Sequence, residues 1–130
     1  MAIYDSIGKI YSKSRLPDSR IVDAVVNLLS LPKESAIADI GAGTGGYSRA
    51  IADQGFLVYA VEPSSVMRSQ SIPHPQVEWV NGYAEDIPLP SASFDAVISI
   101  LAIHHFSHLE KAIREMNRVA KKRCDYFSNF

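Results

Sequence analysis

Short apolar runs alternate with helical patterns along this chain of 130 residues. The apolar runs predict four buried strands, at residues 36–40, 56–61, 77–81 and 94–100. Helices are predicted from Asp18 to about Leu31, from about Gly45 to Gln54, and from Ser64 through Met67. Strands that are interleaved with helices pair in parallel through crossover connections. The alternation therefore predicts an α/β fold with three layers and a mostly parallel sheet.

The clearest helical pattern follows the fourth apolar run. Ser107-His108-Leu109-Glu110 has the sequence of a capping box, in which the hydroxyl and the carboxylate each accept from a free backbone N–H group. Apolar residues then recur with a helical period, at positions 109, 112, 113, 116, 119 and 120. We expect a helix that begins at this box.

Length and composition indicate a single domain over residues 1–130, with a helical segment at 1–32, a core at 33–122 and a short tail at 123–130. Thirteen basic residues balance fourteen acidic ones, which gives no reason to expect a nucleic-acid partner. No apolar run is long enough for a membrane span. The single cysteine, Cys124, cannot form an internal disulfide, and this suits a cytoplasmic protein.

The first apolar run leads directly into a glycine-rich segment, residues 41–46. Close approach of the backbone to a bound group needs residues without a Cβ atom, and the start of the following helix presents free N–H groups. This order predicts a site for part of a nucleotide. Gly41, Gly43 and Gly46 also satisfy the dinucleotide pattern G-x-G-x-x-G, so a nicotinamide-dependent oxidoreductase is one interpretation.

Two acidic residues at the ends of the first two runs bear on that choice. Asp39 lies two residues before the first glycine, where a carboxylate would repel a pyrophosphate but would suit the ammonium group of a methionine moiety. Glu62 ends the second run, where it can accept hydrogen bonds from both ribose hydroxyls in either cofactor class. Asp39 therefore favours a cationic ligand.

Residues 38–48 resemble the first motif of the class I S-adenosylmethionine-dependent methyltransferases, and Val61-Glu62-Pro63-Ser64 and Met67 follow at the expected distance. Residues 82–90 and 93–97 resemble the third and fourth signatures of the methyltransferase type 11 branch, which includes quinone-biosynthesis enzymes. The resemblance covers about residues 36–120. It implies a Rossmann-like fold, S-adenosyl-L-methionine as cofactor, and methyl transfer to a small-molecule acceptor.

The resemblance also implies roles for individual residues. The glycines would line the methionine and ribose, Asp39 would support the amino group, and Glu62 would hold the ribose diol. The full set of implied cofactor contacts is Asp39, Gly41, Ala42, Gly43, Gly45, Glu62, Pro63, Met67, Ala84, Glu85 and Ile100. The family often has Asp where this chain has Tyr83, so adenine recognition here would rest more on the backbone or on stacking.

His104 and His105 directly follow the fourth predicted strand, at the edge where such a sheet binds its ligand. Methyl transfer from a sulfonium is an in-line displacement that sometimes needs a base to remove a proton. Either histidine is a candidate base, and local hydrogen bonding is the alternative interpretation. With His108 they do not place three imidazoles on one helical face, so no metal site is predicted.

The resembling fold has a seven-stranded sheet, whereas four strands are predicted before Phe130. We therefore expect a fold that is truncated after the fourth strand and its following helix, with that strand as an exposed edge. Such an edge predicts a homo-oligomer, or an edge covered by the aromatic tail at 126–130. A truncated, non-catalytic domain that binds cofactor or associates with another chain is the first alternative to an active methyltransferase, and the oxidoreductase is the second.

Overall fold

The fold is known from a computed structural model that describes residues 16–100, 102 and 105–122. The candidate base His104 and the aromatic tail lie outside the described residues. The described part contains four helices, α1 (Ser19–Leu29), α2 (Gly46–Asp53), α3 (Ser65–Ser69) and α4 (Leu109–Val119), and four strands, β1 (Ala36–Ile40), β2 (Leu57–Val61), β3 (Val77–Val80) and β4 (Ala96–Ile98). None of the described helices has the length and apolar character that crossing a membrane requires.

The sheet has the strand order β3-β2-β1-β4, and every pairing is parallel. Alternate residues of β1 face opposite layers, as the period of two in a strand requires. Ile37 packs with Val25 of α1 and Ile51 of α2, whereas Ile40 packs with Met116 of α4 on the other side. The three-layer α/β fold with a parallel sheet is thus confirmed.

The fourth strand is shorter than its apolar run. Residues 94–100 were expected to be extended throughout, but β4 covers Ala96–Ile98 alone. Before the strand, Phe94 donates its N–H group to Val119 and accepts from Lys121, so its backbone bonds to the end of α4. Its ring packs edge-on against Tyr59, with the centroids 5.0 Å apart. Within the described part, β4 forms one edge of the sheet, and association through that edge stays a prediction.

The capping box predicted at the start of α4 is wrong. The N-cap residue is His108, and no side chain of the predicted box caps the helix. Instead the Glu85 Oε2 atom accepts from the Ser107 hydroxyl and from the His108 backbone N–H group, each at 3.2 Å. The carboxylate that holds the start of this helix therefore comes from the loop after β3 and not from Glu110.

The first helix begins as predicted and ends early. The Asp18 side chain accepts from the Arg20 backbone N–H group at the start of α1. The helix was expected to continue to about Leu31, but Ser30 adopts the left-handed conformation, with φ 50°, and its N–H group bonds to the Val26 carbonyl. A left-handed residue at this position ends a helix.

Candidate cofactor-binding site

The glycine loop, residues 41–45, connects β1 to α2. Gly41, Gly43 and Gly45 all have positive φ values, of 74°, 62° and 86°. A Cβ atom on Gly41 would lie 2.6 Å from the Ala102 side chain, and one on Gly45 would lie 2.5 Å from the Trp79 ring. These two glycines are therefore required by packing within the protein as well as by their backbone conformation.

Gly43 differs from its two neighbours. A Cβ atom there would meet no described atom within 4 Å. The side of Gly43 on which a Cβ atom would project is thus open among the described residues, and a bound group can approach the backbone there. Of the three glycines in the loop, Gly43 has the environment expected of a ligand contact.

Glu62 follows β2 directly and lies against the glycine loop. Its Oε1 atom accepts from the Gly43 backbone N–H group at 2.8 Å, and its Oε2 atom accepts from that of Ser64 at 2.9 Å. The Ser64 hydroxyl in turn accepts from Met67 and caps α3. The buried Glu62 carboxylate is consequently fixed between the loops that follow β1 and β2, at the position implied for a ribose-binding acid.

Asp39 is the second acid of the site, and it is buried. It is only 2% exposed, and its Oδ2 atom accepts a hydrogen bond of 2.6 Å from the Ser48 hydroxyl on α2. Among the described residues, no basic side chain forms an ion pair with it. Burial raises the pKa of Asp39 to about 7, against the lowering effect of the Ser48 hydrogen bond, and the nearby charge of Glu62 adds to the rise.

Neighbouring segments close around these two acids. The loop after β3 packs on the end of β2, since a Cβ atom on Gly82 would lie 2.5 Å from the Pro88 ring and 3.3 Å from Val61. The segment after β4 reaches the glycine loop through Ala102, as the spacing at Gly41 requires. The carboxyl ends of all four strands thus meet at one edge, where ligands bind in open α/β sheets.

The structure gives less information on the remaining candidate contacts of the cofactor. Met67, Ala84 and Ile100 are all buried, so their side chains belong to the protein interior. Glu85 uses its carboxylate at the start of α4. Tyr83, at the position where the family often has Asp, is 53% exposed. Their contacts with a cofactor stay predictions, as does that of the half-buried Pro63.

His105 is the candidate base that the structure describes. The residue is largely exposed, and its backbone N–H group donates to the Ala102 carbonyl at 2.9 Å. Partial desolvation lowers the pKa of its imidazole, so the ring is mainly neutral at pH 7 and can accept a proton. Within the described ranges, no group of three His, Cys, Asp or Glu residues is arranged to hold a metal ion.

Ser48 was not among the residues singled out from the sequence. It shares the buried face of α2 with Ile51 and Ala52, at the spacing of three and four residues that places side chains together. A hydroxyl in an otherwise apolar stripe is the signal that could have found it. Because Asp39 precedes this helix on a strand that the helix covers, the two side chains meet.

A family model described as a methyltransferase domain matches residues 38–126. The chain therefore belongs to the class I S-adenosylmethionine-dependent methyltransferases, in the methyltransferase type 11 branch. The match confirms the family that the four sequence motifs predicted.

Among curated relatives, an uncharacterized methyltransferase of Geobacillus sp. is 31% identical over 102 residues, which are 75% of this chain and 48% of the relative. A ubiquinone/menaquinone biosynthesis C-methyltransferase of Rubrivivax gelatinosus is 34% identical over 87 residues, 65% of this chain and 35% of the relative. A solved structure, a putative methyltransferase from an antibiotic biosynthesis pathway of Anabaena variabilis, is 69% identical with a TM-score of 0.80, over 82% of this chain and 43% of that one. The chain spans about half the length of these proteins or less.

Proposed function

We propose that this chain binds S-adenosyl-L-methionine between Asp39 and Glu62 and serves as the cofactor-binding part of a methyltransferase that acts on a small molecule. The observation that carries the proposal is the buried Asp39 carboxylate, which has no basic partner among the described residues. A buried charge is costly unless it is paired. A ligand that brings an ammonium group to this carboxylate would supply the missing partner.

The surrounding residues fit the rest of the same ligand. Gly43 leaves space beside its backbone for a close contact. Glu62, held by two backbone N–H groups, is an oriented acceptor for a ribose diol. The bound cofactor supplies an activated methyl group, and the chain's own residues orient it and exclude water from its methionine end.

The small-molecule acceptor is supported by the relatives. The Rubrivivax protein is described as an enzyme of quinone biosynthesis, and the Anabaena protein as one from an antibiotic pathway. A neutral His105 beyond β4 would be available to remove a proton from such an acceptor. His104 is the second candidate for this role.

Thermal unfolding with added ligand tests the proposal. S-adenosylhomocysteine, which keeps the ammonium group and the ribose, should raise the melting temperature, whereas NAD should not. At about 100 times its Kd, such a ligand adds about 2.7 kcal/mol to the stability. An Asp39→Ala variant should lose the shift. Glu110→Gln is the matched control, since Glu110 is an exposed acid paired with Arg114 on α4.

Each alternative function has its own outcome in this experiment. Stabilisation by NAD without any effect of S-adenosylhomocysteine would overturn the proposal in favour of an oxidoreductase. Binding of S-adenosylhomocysteine, together with no transfer of a labelled methyl group to any of a panel of quinols, phenols and amines, would favour the non-catalytic cofactor-binding domain.

A further inference from the structure

The buried hydroxyl of Ser48 contacts one acid of the proposed site, the buried carboxylate of Asp39. Ser48 is 0% exposed and Asp39 is 2% exposed, so water does not compete for the hydrogen bond between them. The hydroxyl donates to the carboxylate, with 2.6 Å between Ser48 Oγ and Asp39 Oδ2. A hydroxyl donates more strongly to an ionised carboxylate than to a neutral one, so this contact favours the ionised form of Asp39.

The other groups around Asp39 do not favour its ionised form. Glu62 approaches from β2 with the same charge. On α2, the Arg49 guanidinium bonds to the Thr44 carbonyl at 3.3 Å. The residues packed on this face of the sheet from α1 and β4, Val22, Val25 and Ile98, are apolar. Ser48 is therefore the described side chain that stabilises a negative Asp39.

We propose that Ser48 is a positioning residue, whose hydroxyl holds the Asp39 carboxylate as an oriented anion for the cationic methionine end of the cofactor. The inference rests on the proposed function, since it needs a cationic ligand at Asp39. In this arrangement a residue of α2, Ser48, controls the ionisation of Asp39 on β1. The hydrogen bond holds Oδ2 of Asp39 toward α2, and in doing so it also fixes the orientation of Oδ1.

The proposal makes the cofactor affinity depend on pH in a way that Ser48 controls. Without the hydroxyl, Asp39 loses the hydrogen bond that lowers its pKa, and protonation of the unbound protein extends to higher pH. A protonated Asp39 must lose its proton before it pairs with an ammonium group. The affinity for S-adenosylhomocysteine should then fall about tenfold for each pH unit below the pKa of this group.

The test is the affinity of the full chain for S-adenosylhomocysteine, measured by calorimetry between about pH 5.5 and pH 9. Ser48→Ala should bind about fivefold more weakly at pH 7, and the midpoint of its pH profile should move upward by about one unit. Ser48→Thr should restore the wild-type profile, and Ser48→Cys, with a weaker donor of similar shape, should lie between. Ser35→Ala is the matched control, because the Ser35 hydroxyl is also buried but donates to the Pro32 carbonyl at the other end of β1.

The possible outcomes separate this inference from the proposed function. If the wild-type chain does not bind S-adenosylhomocysteine, the proposed function fails. If the wild type binds and Ser48→Ala has the same affinity and pH profile, or loses affinity equally at every pH, the role of Ser48 is refuted while the cofactor site stands. The pH dependence of unfolding of the unbound variants, which needs no ligand, should show the same upward shift for Ser48→Ala.

Discussion

Replacing Asp39 by asparagine is expected to stabilise the unbound protein above pH 7 while it removes cofactor binding. Asparagine keeps the shape of the side chain and can still accept the hydrogen bond from Ser48. It lacks the charge that burial makes costly. Stability and binding should therefore change in opposite directions, which a general disruption of the fold would not produce.

The magnitude follows from the pKa of Asp39, which rises from its ordinary 3.8 to about 7. Between these values the folded chain holds a proton that the unfolded chain has released. The free energy of unfolding therefore falls as pH rises through this window, by about 1.4 kcal/mol per unit and on the order of 4 kcal/mol in total. The buried amide of the Asp39→Asn variant has polar groups of its own to satisfy, so we expect a net gain of about 2 kcal/mol above pH 7.

The assay is urea unfolding at about pH 5 and about pH 8.5, on either side of the expected titration. Trp79, the single tryptophan of the chain, lies against Gly45 and reports unfolding by its fluorescence. Asp95→Asn is a control of opposite sign, because the Ala36 N–H group and Lys121 both bond to Asp95 and lower its pKa. That variant should lose stability by about the same amount at both pH values, since both lie above the ordinary pKa of an aspartate.

The reasoning would be refuted by an Asp39→Asn variant whose stability relative to wild type does not change between the two pH values. It would equally be refuted if the variant were less stable than wild type at about pH 8.5, since the cost of burying the charge would then be smaller than the cost of burying the amide. Retention of the full thermal shift with S-adenosylhomocysteine would contradict the binding role of the carboxylate.

Four further substitutions test the glycine loop and two contacts of α4. Gly45→Ala should lower the free energy of unfolding by about 2 kcal/mol or more, because its Cβ atom would clash with Trp79. Gly43→Ala should lower it by about 1 kcal/mol and should also weaken the binding of S-adenosylhomocysteine. Urea unfolding measures the stability and calorimetry the affinity, and equal effects of the two variants would contradict the role of Gly43 as the ligand contact. Glu85→Gln should increase hydrogen exchange in the first turn of α4, and unchanged protection would exclude capping by this carboxylate. Arg118→Met should lower stability by about 2 kcal/mol, since Arg118 bonds to two carbonyls of the loop after β3, and an unchanged urea midpoint would contradict this.

The strands and the glycine loop could be predicted because their signals are local. Each apolar run is bounded by turn residues, and each predicted strand is present in the sheet. The positive φ values of Gly41, Gly43 and Gly45 also agree with the need for glycine in a tight turn. Family motifs at fixed spacing then identified the family, whereas the glycine pattern alone left the cofactor class open.

The features that escaped prediction depend on residues far apart in the chain. The start of α4 is held by Glu85, which is 23 residues from His108, whereas the sequence offered a complete local box at Ser107 and Glu110. The pKa of Asp39 depends on its burial beneath α2 and on Glu62 from another strand. Local patterns specify which elements form, but they do not specify which side chain reaches a neighbouring element.

In the proposed site, Asp39 and Glu62 would each bind a different part of the cofactor, and this explains why the ionised form of Asp39 is costly in the unbound protein. Glu62 is stabilised by two backbone N–H groups and is oriented before any ligand arrives. Asp39 accepts a hydrogen bond from the neutral Ser48 hydroxyl, whereas a positive charge would be needed to balance its negative one. The free energy that its ionisation costs the unbound fold is recovered when a cationic ligand pairs with it, so proton release and ligand binding are linked. A ligand that carries both a diol and an ammonium group would pair with both acids at once. A dinucleotide would pair its ribose diol with Glu62, but its anionic pyrophosphate would repel the Asp39 carboxylate.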